Sequence, residues 1–223
     1  MNSRQRNVLI RMLIALGIFV YVGYVAYQQL PRFDFTVIFS FFLLYLVWTI
    51  IMEVWIYKDP ESYVIEDDDS KSYLYLQLSY FIALFYAAID FVELHWTRAA
   101  YLEPAIIYAG FILFLISCII RWWGFNSIGT YFNPRVAIYE EHKLITTGAY
   151  KNIRHPLYLG SLISFIAIPL IFNSWGALLI ILCATVPALV YRINIEEALM
   201  EKHFGDAYLD YKSKTKRMIP GIW

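Results

Sequence analysis

Apolar positions along this chain fall into long unbroken runs rather than alternating patterns. Six such runs stand out, residues 8–30, 35–56, 73–92, 104–120, 157–172 and 175–191. Crossing a hydrocarbon core of about 30 Å takes about 20 helical residues, so each run reads as a helix that spans or nearly spans a bilayer. Barrel strands would show short alternating segments, and none appears. Arg11 interrupts the first run near its start and Glu53 sits near the end of the second. No small-residue cleavage site follows a short apolar core, so a removed signal peptide is not expected. Pro104 and Pro156 stand at run starts, where a first helical turn tolerates proline. Pro169 and Pro187 fall inside the last two runs and predict kinks. Only Asn173-Ser174 separates those two runs, which predicts a tight helical hairpin. The expected fold is an all-α integral membrane protein of about six transmembrane helices, including this C-terminal hairpin. Residues 1–120 would form a scaffold of four helices, and residues 121–223 a core carrying the chemistry.

Composition agrees with the pattern. Of 223 residues, 60% are hydrophobic and 16% charged, with mean hydropathy +0.54. Soluble domains run nearer about 45–50% apolar and about 25% charged. These values exclude an ordinary cytosolic globule, a disordered chain and a binder of nucleic acid that relies on excess basic charge. The lipid bilayer is the expected partner, and the 19% aromatic content suits interfacial belts. Lysine plus arginine and aspartate plus glutamate both total 18, so net charge is zero. That zero conceals a sorted distribution. With the six runs threaded in turn, every lysine and arginine except Arg32 and Arg98 falls on the side of the two termini. The positive-inside rule makes that side cytoplasmic. The host membrane would be the plasma membrane in a prokaryote and the endoplasmic reticulum in a eukaryote.

Several local features carry no further chemistry. Cys118 and Cys183 lie inside apolar runs and support no disulfide framework. No fixed-period repeat is present, which argues against a paired-repeat transporter. The acidic stretch Asp59, Glu61, Glu66, Asp67, Asp68, Asp69 lacks the oxygen spacing and turn glycine of a calcium loop and reads as a solvated loop. Asp90, Glu93 and His95 are too loosely spaced for zinc and read as structural or interfacial, so no metal is expected.

The candidate chemistry flanks the hairpin. Before it come His142, Lys143, Leu144, Gly148, Tyr150, Arg154, His155, Pro156 and Tyr158; after it come Arg192, Glu196 and Glu197. One helix leaves and the next returns, so both groups reach the same membrane face. Arg192 and Glu196, four residues apart, share a helical face. Gly148 can relax the backbone for close approach of a ligand. Tyr208 and Tyr211, three apart on a short amphipathic helix, read as packing residues. Together these residues predict a cytoplasmic pocket with two guanidiniums, an imidazole, two carboxylates and several phenols.

The pattern H-x-L-[IV]-x-x-G-x-Y-x-x-x-R-H-P-x-Y, a helical hairpin, R-x-x-x-E-E and then F-G-x-x-Y-x-x-Y resembles the isoprenylcysteine carboxyl methyltransferase family, to which phospholipid N-methyltransferases are related. The resemblance runs from Tyr131 to Pro220. It implies methyl transfer from S-adenosyl-L-methionine without a Rossmann domain, and no G-x-G-x-x-G follows a strand here. It places the cofactor beside His142, Lys143, Leu144, Gly148, Tyr150, Arg154, His155, Pro156 and Tyr158, with Glu196 and Glu197 completing its binding. Arg192, Arg154 and Glu196 become the candidate catalytic residues. A prenylcysteine carboxylate is already ionised, so in-line attack needs alignment and an orienting cation rather than a base, and Arg192 fits that role. The prenyl chain is expected to arrive sideways from lipid, between the fourth run and the hairpin. An amine acceptor such as phosphatidylethanolamine would instead need His155 or a glutamate as base. A small thiol acceptor, an NADPH-dependent enzyme like the membrane sterol reductases, and a non-catalytic membrane protein are the alternatives.

Overall fold

The computed structural model describes residues 16, 17, 20, 21, 23, 24, 26–52, 64–67, 70–99, 101, 103–132, 136–139 and 142–219. Most of the first expected span lies outside the described residues, as do Glu53, Asp59, Glu61, Asp68, Asp69 and Pro220. The chain divides into two compact units, residues 1–58 and 59–223.

In the first unit, helix α1 (Arg32–Ile51) corresponds to the second apolar run. Asp34 in its first turn complements the helix dipole. Val37, Ile38, Phe41 and Trp48 are buried, whereas Phe33, Leu43, Val47 and Ile50 stay exposed, as suits a surface facing lipid.

The second unit holds α2 (Ser72–Leu94), α3 (Ala105–Ile128), α4 (Pro156–Ile171), α5 (Trp175–Phe204) and the short α6 (Asp206–Lys214). Helices α1, α2, α3 and α5 are long and apolar enough to cross a membrane, and α4 is a shorter apolar helix. Large apolar side chains remain exposed along them, among them Phe85 on α2, Ile119 on α3 and Leu179 on α5. Two short strands join the helices. β1 (Val64–Asp67) pairs antiparallel with β2 (Ala137–Tyr139), matching Val64 to Tyr139 and Asp67 to Ala137. Ile138 of β2 is buried with Val136 against Leu199 of α5. Three- and four-residue strands leave no signature in a search for long apolar runs, so this ribbon adds to the helical architecture expected from sequence.

Helices in lipid gain little from hiding apolar surface against each other, so small residues that allow backbones to approach take over. Helices α3 and α4 use this device along their length. A Cβ on Gly110 would lie 2.6 Å from the Ile171 nitrogen and 3.0 Å from the Ala167 oxygen. One on Gly124 would lie 2.6 Å from the Leu157 side chain, and Gly160 sits directly against the Arg121 side chain. Helices α3 and α4 are therefore in close contact along this seam.

At the far end, the hairpin turn is pinned by polar contacts. Asn173 has a positive φ of 44° and donates from Nδ2 to the Ala99 oxygen at 3.1 Å and to Glu103 Oε1 at 2.6 Å. Ser174 Oγ donates to Asp90 Oδ2 at 2.7 Å and accepts from the Ala177 nitrogen, capping α5. The other oxygen of Asp90 accepts from the nitrogens of Trp96 (2.9 Å) and Thr97 (3.2 Å). Asp90 is thus a structural clamp, as its surroundings in the sequence suggested. Among the described residues no group of three or more His, Cys, Asp or Glu side chains could hold a metal ion. Within α5 a π-type turn, Ile181–Thr185, ends two residues before Pro187 and marks the irregularity this proline predicts.

Replacing Gly110 with alanine should overpack the α3–α4 seam, because the nearest atoms are backbone, at a cost of about 1–3 kcal/mol. Thermal unfolding of detergent-purified protein should show a lower midpoint for Gly110→Ala. Gly17→Ala, with nothing within 4 Å of the new methyl, should leave it unchanged.

Candidate active site

The chemistry-bearing segments meet at the end of the second unit where α2 and α4 begin and α3 and α5 finish. Residues 142–146 run as irregular coil into a 3₁₀ turn, Gly148–Tyr150. Gly148 has φ +61° and lies so close to α3 that a Cβ would sit 2.5 Å from Ser127 Oγ. That hydroxyl also accepts from the Ala149 nitrogen at 3.0 Å. Gly148 thus permits a close approach of α3.

Ile153 forms an isolated parallel bridge with Lys216, and its neighbours pair with the C-terminal strap beyond α6. The Arg154 nitrogen donates to the Lys216 oxygen at 2.8 Å, the His155 nitrogen to the Arg217 oxygen at 2.9 Å, and the Lys216 nitrogen to the Asn152 oxygen at 3.2 Å. Pro156 then opens α4 in its first turn, where its missing N–H is no loss. Tyr211 on α6 donates its hydroxyl to the Tyr150 oxygen at 2.6 Å, and Met218 packs against Leu189 and Ile193 of α5. Tyr208 and Tyr211 are buried packing residues, as expected. Burial pushes the Tyr211 phenol up to about 12, so it stays neutral and able to donate.

Glu197 is the centre of one network. Its Oε1 accepts from Arg154 Nε at 2.9 Å and from His155 Nε2 at 3.1 Å. Its Oε2 accepts from Arg217 Nη2 at 3.0 Å and Nε at 3.2 Å, with Lys212 Nζ 3.7 Å away. Arg154 also donates from Nη1 to the Thr215 oxygen at 2.6 Å and the Lys212 oxygen at 3.2 Å. Arg154 thus links Glu197 to the main chain of the strap.

Glu196 anchors a second chain of contacts. Tyr158 donates its hydroxyl to Glu196 Oε2 in a short hydrogen bond and accepts from Arg192 Nε at 2.9 Å. Arg192 and Glu196 are thus linked through the Tyr158 hydroxyl as well as by their shared helical face. Arg192 is buried, donates from Nη1 to Ser72 Oγ at 2.9 Å, and faces the rings of Tyr73 (5.6 Å) and Tyr158 (5.9 Å). His155 sits between the two networks, stacked on Tyr158, with Nδ1 3.7 Å from Glu196 Oε1. The adjacent glutamates differ sharply in access. The Glu197 side chain is 3% exposed and that of Glu196 33%.

His142 lies parallel to the Tyr131 ring at 4.9 Å and edge-on to Phe204 at 5.6 Å. Burial depresses its pKa to about 4, aided by the His203 charge and opposed by Glu196, so the ring is neutral at pH 7. Leu144 is half-buried and Lys143 exposed. Burial, together with the charge of Glu196, holds the Tyr150 phenol well above its ordinary range. Of the residues expected from sequence, Arg154, His155 and Tyr158 thus meet Glu196 or Glu197, Arg192 reaches Glu196 through Tyr158, and His142 and Tyr150 feel the charge of Glu196. Sequence reasoning missed Ser72, Tyr73, Ser127, Thr215 and Arg217. Their common signal was weak: each lies near the end of an apolar run or inside the basic tail.

Residues 110–202 match the isoprenylcysteine carboxyl methyltransferase (ICMT) family. A protein-S-isoprenylcysteine O-methyltransferase of Schizosaccharomyces pombe is 31% identical over 83 residues, 37% of this chain and 35% of that one. A protein of the same description from Dictyostelium discoideum is 27% identical over 185 residues, 81% of this chain and 78% of that one. The chain thus spans about a third of the first relative and most of the second. The solved structure of a eukaryotic intramembrane Ras methyltransferase, an isoprenylcysteine carboxyl methyltransferase, aligns over 100% of this chain and 88% of its own. Its TM-score is 0.53 at 22% identity, so it shares the membrane fold. The segment that carries most of α3, the Arg154-His155-Pro156 turn and the Glu196-Glu197 pair is thus the part of this chain that is similar to the isoprenylcysteine carboxyl methyltransferase family.

Proposed function

We propose that this protein is an integral-membrane methyltransferase that moves a methyl group from S-adenosyl-L-methionine to the carboxylate of an isoprenylcysteine-like lipidic acceptor. One observation carries the reading: a buried guanidinium, Arg192, is joined through a single phenol, Tyr158, to the partly open carboxylate of Glu196. An anion-orienting group and a cation-binding group therefore stand next to each other at the ends of apolar helices.

The donor set suits the cofactor's chemistry. An accessible carboxylate beside stacked aromatic faces favours a sulfonium or ammonium cation. Glu196, His155 and Tyr158 supply these, and the neutral His142–Tyr131 stack adds an apolar aromatic surface. When bound, the cofactor supplies an electrophilic methyl group on a positively charged sulfur. Held by Glu196, His155 and Tyr158, it would offer that methyl to an acceptor carboxylate oxygen, with the methyl–sulfur electron pair remaining on sulfur. No proton moves, so no residue acts as base. Arg192 orients the acceptor carboxylate, and Glu196 binds the cofactor's cationic groups. Arg154 and Glu197 position the strap and His155. In this reading the catalytic groups lie in residues 121–223, in a six-span protein with both termini and the pocket cytoplasmic.

Purified protein in lipid nanodiscs, given tritiated S-adenosyl-L-methionine, should label a farnesylcysteine analogue as a base-labile methyl ester. Phosphatidylethanolamine and small thiols should stay unlabelled. Label on either of those with none on the carboxylate would overturn the reading.

Arg192→Lys keeps the charge but loses the planar fork. It should lower acceptor kcat/KM about 10–100-fold while cofactor affinity stays within about twofold. Steady-state kinetics with cofactor-binding calorimetry checks this. A carboxylate titrates near pH 4 and a thiol near 8.5. The kcat/KM profile for the acceptor should therefore be flat between about pH 6 and 9, where a thiol acceptor would show a rising limb.

A further inference from the structure

The group that orients Arg192 is not confined to the segment carrying the family match. We infer that Ser72, the first residue of α2, is a positioning residue for acceptor recognition, because its hydroxyl and that of Tyr158 together fix the plane of the Arg192 guanidinium. The inference rests on the reading of Arg192 as the acceptor's anchor. A guanidinium is flat, and its donors point in fixed directions. Ser72 Oγ accepts from Nη1 and Tyr158 Oη from Nε, each at 2.9 Å, so two separate edges of the plane are held. The rings of Tyr73 and Tyr158 flank it at 5.6 and 5.9 Å. An arginine held on two edges cannot swing about its last torsions without breaking a hydrogen bond. That pre-orientation is what in-line attack by a carboxylate needs.

Ser72 is suited to be a fixed point. It is fully buried, at 0% exposure, and α2 is tied down next to it. Leu76, one turn further on, packs against the buried Leu189, Ile193 and Met218. Upstream, the β1–β2 ribbon joins the segment preceding α2 to the segment preceding the His142 coil. The hydrogen bond closes a sequence separation of 120 residues and links α2 to the returning arm of the hairpin. Specificity for a carboxylate then depends on a residue outside 110–202.

The test uses the full chain in nanodiscs, with N-acetyl-S-farnesylcysteine as acceptor and its carboxamide as competing ligand. Ser72→Ala should lower acceptor kcat/KM about 10-fold and shrink the preference for carboxylate over carboxamide by a similar factor. The cofactor KM should stay within about twofold. Ser72→Thr, which keeps the hydroxyl, should recover most of both losses. Ser72→Ala with wild-type kinetics overturns the inference while leaving the proposed function intact. Equal losses on the acceptor and cofactor sides, with the carboxylate preference unchanged, also overturn it by showing a purely structural role. Wild-type protein that methylates no carboxylate acceptor overturns the proposed function, and this inference with it.

Discussion

Glu197 imposes the constraint around which the rest of the site is arranged. It is a carboxylate at 3% exposure near the end of a long apolar helix. Withdrawing such a group from water costs several kcal/mol unless hydrogen-bond donors replace the lost solvent. Arg154, His155 and Arg217 provide them, and they come from the turn before α4 and from the strap after α6. One buried charge thereby dictates that α5, the start of α4 and the C-terminal strap converge. The backbone pairing of residues 152–155 with 216–217 and the Tyr211 hydrogen bond to the Tyr150 oxygen reinforce that convergence.

Neighbouring residues on a helix do not face the same way, and α5 uses this to separate two tasks. Glu197 points into the protein and holds the strap, while Glu196 points towards the partly open side and meets Tyr158. The two arginines divide in parallel. Arg154 bonds a carboxylate and two main-chain oxygens, whereas Arg192 is set by the hydroxyls of Tyr158 and Ser72 between aromatic rings. Tyr158 and His155, stacked on each other, stand where the two networks meet. At the opposite end Asp90, Asn173 and Ser174 fix the hairpin turn, and the glycine contacts of α3 with α4 fix its outgoing arm.

The apolar runs made α1 to α5 and the hairpin legible, because helix length against bilayer thickness is a local property. The order of the blocks around the hairpin made most of the site legible too, down to Arg154, His155, Arg192, Glu196 and Glu197. Roles were harder to read. Arg154 and Glu197 lie 43 residues apart and Ser72 and Arg192 lie 120 apart, and no periodicity links such partners. Gly148 illustrates the same limit. Its sequence position signalled a close approach, but only the packed structure shows that Ser127 makes it. The α3–α4 seam is another case, since three glycines scattered over two helices become a closed contact only when the helices are aligned.

The division of labour between the paired glutamates is best tested by measuring S-adenosyl-L-methionine affinity and thermal unfolding on the same two variants, Glu196→Gln and Glu197→Gln. Glu196→Gln should weaken cofactor binding about 10-fold or more with an unchanged melting midpoint. Glu197→Gln leaves Arg154 and Arg217 without their carboxylate and should lower the midpoint by the equivalent of about 3–5 kcal/mol. A Glu197→Gln protein as stable as wild type, paired with a Glu196→Gln protein that binds the cofactor normally, would contradict the account.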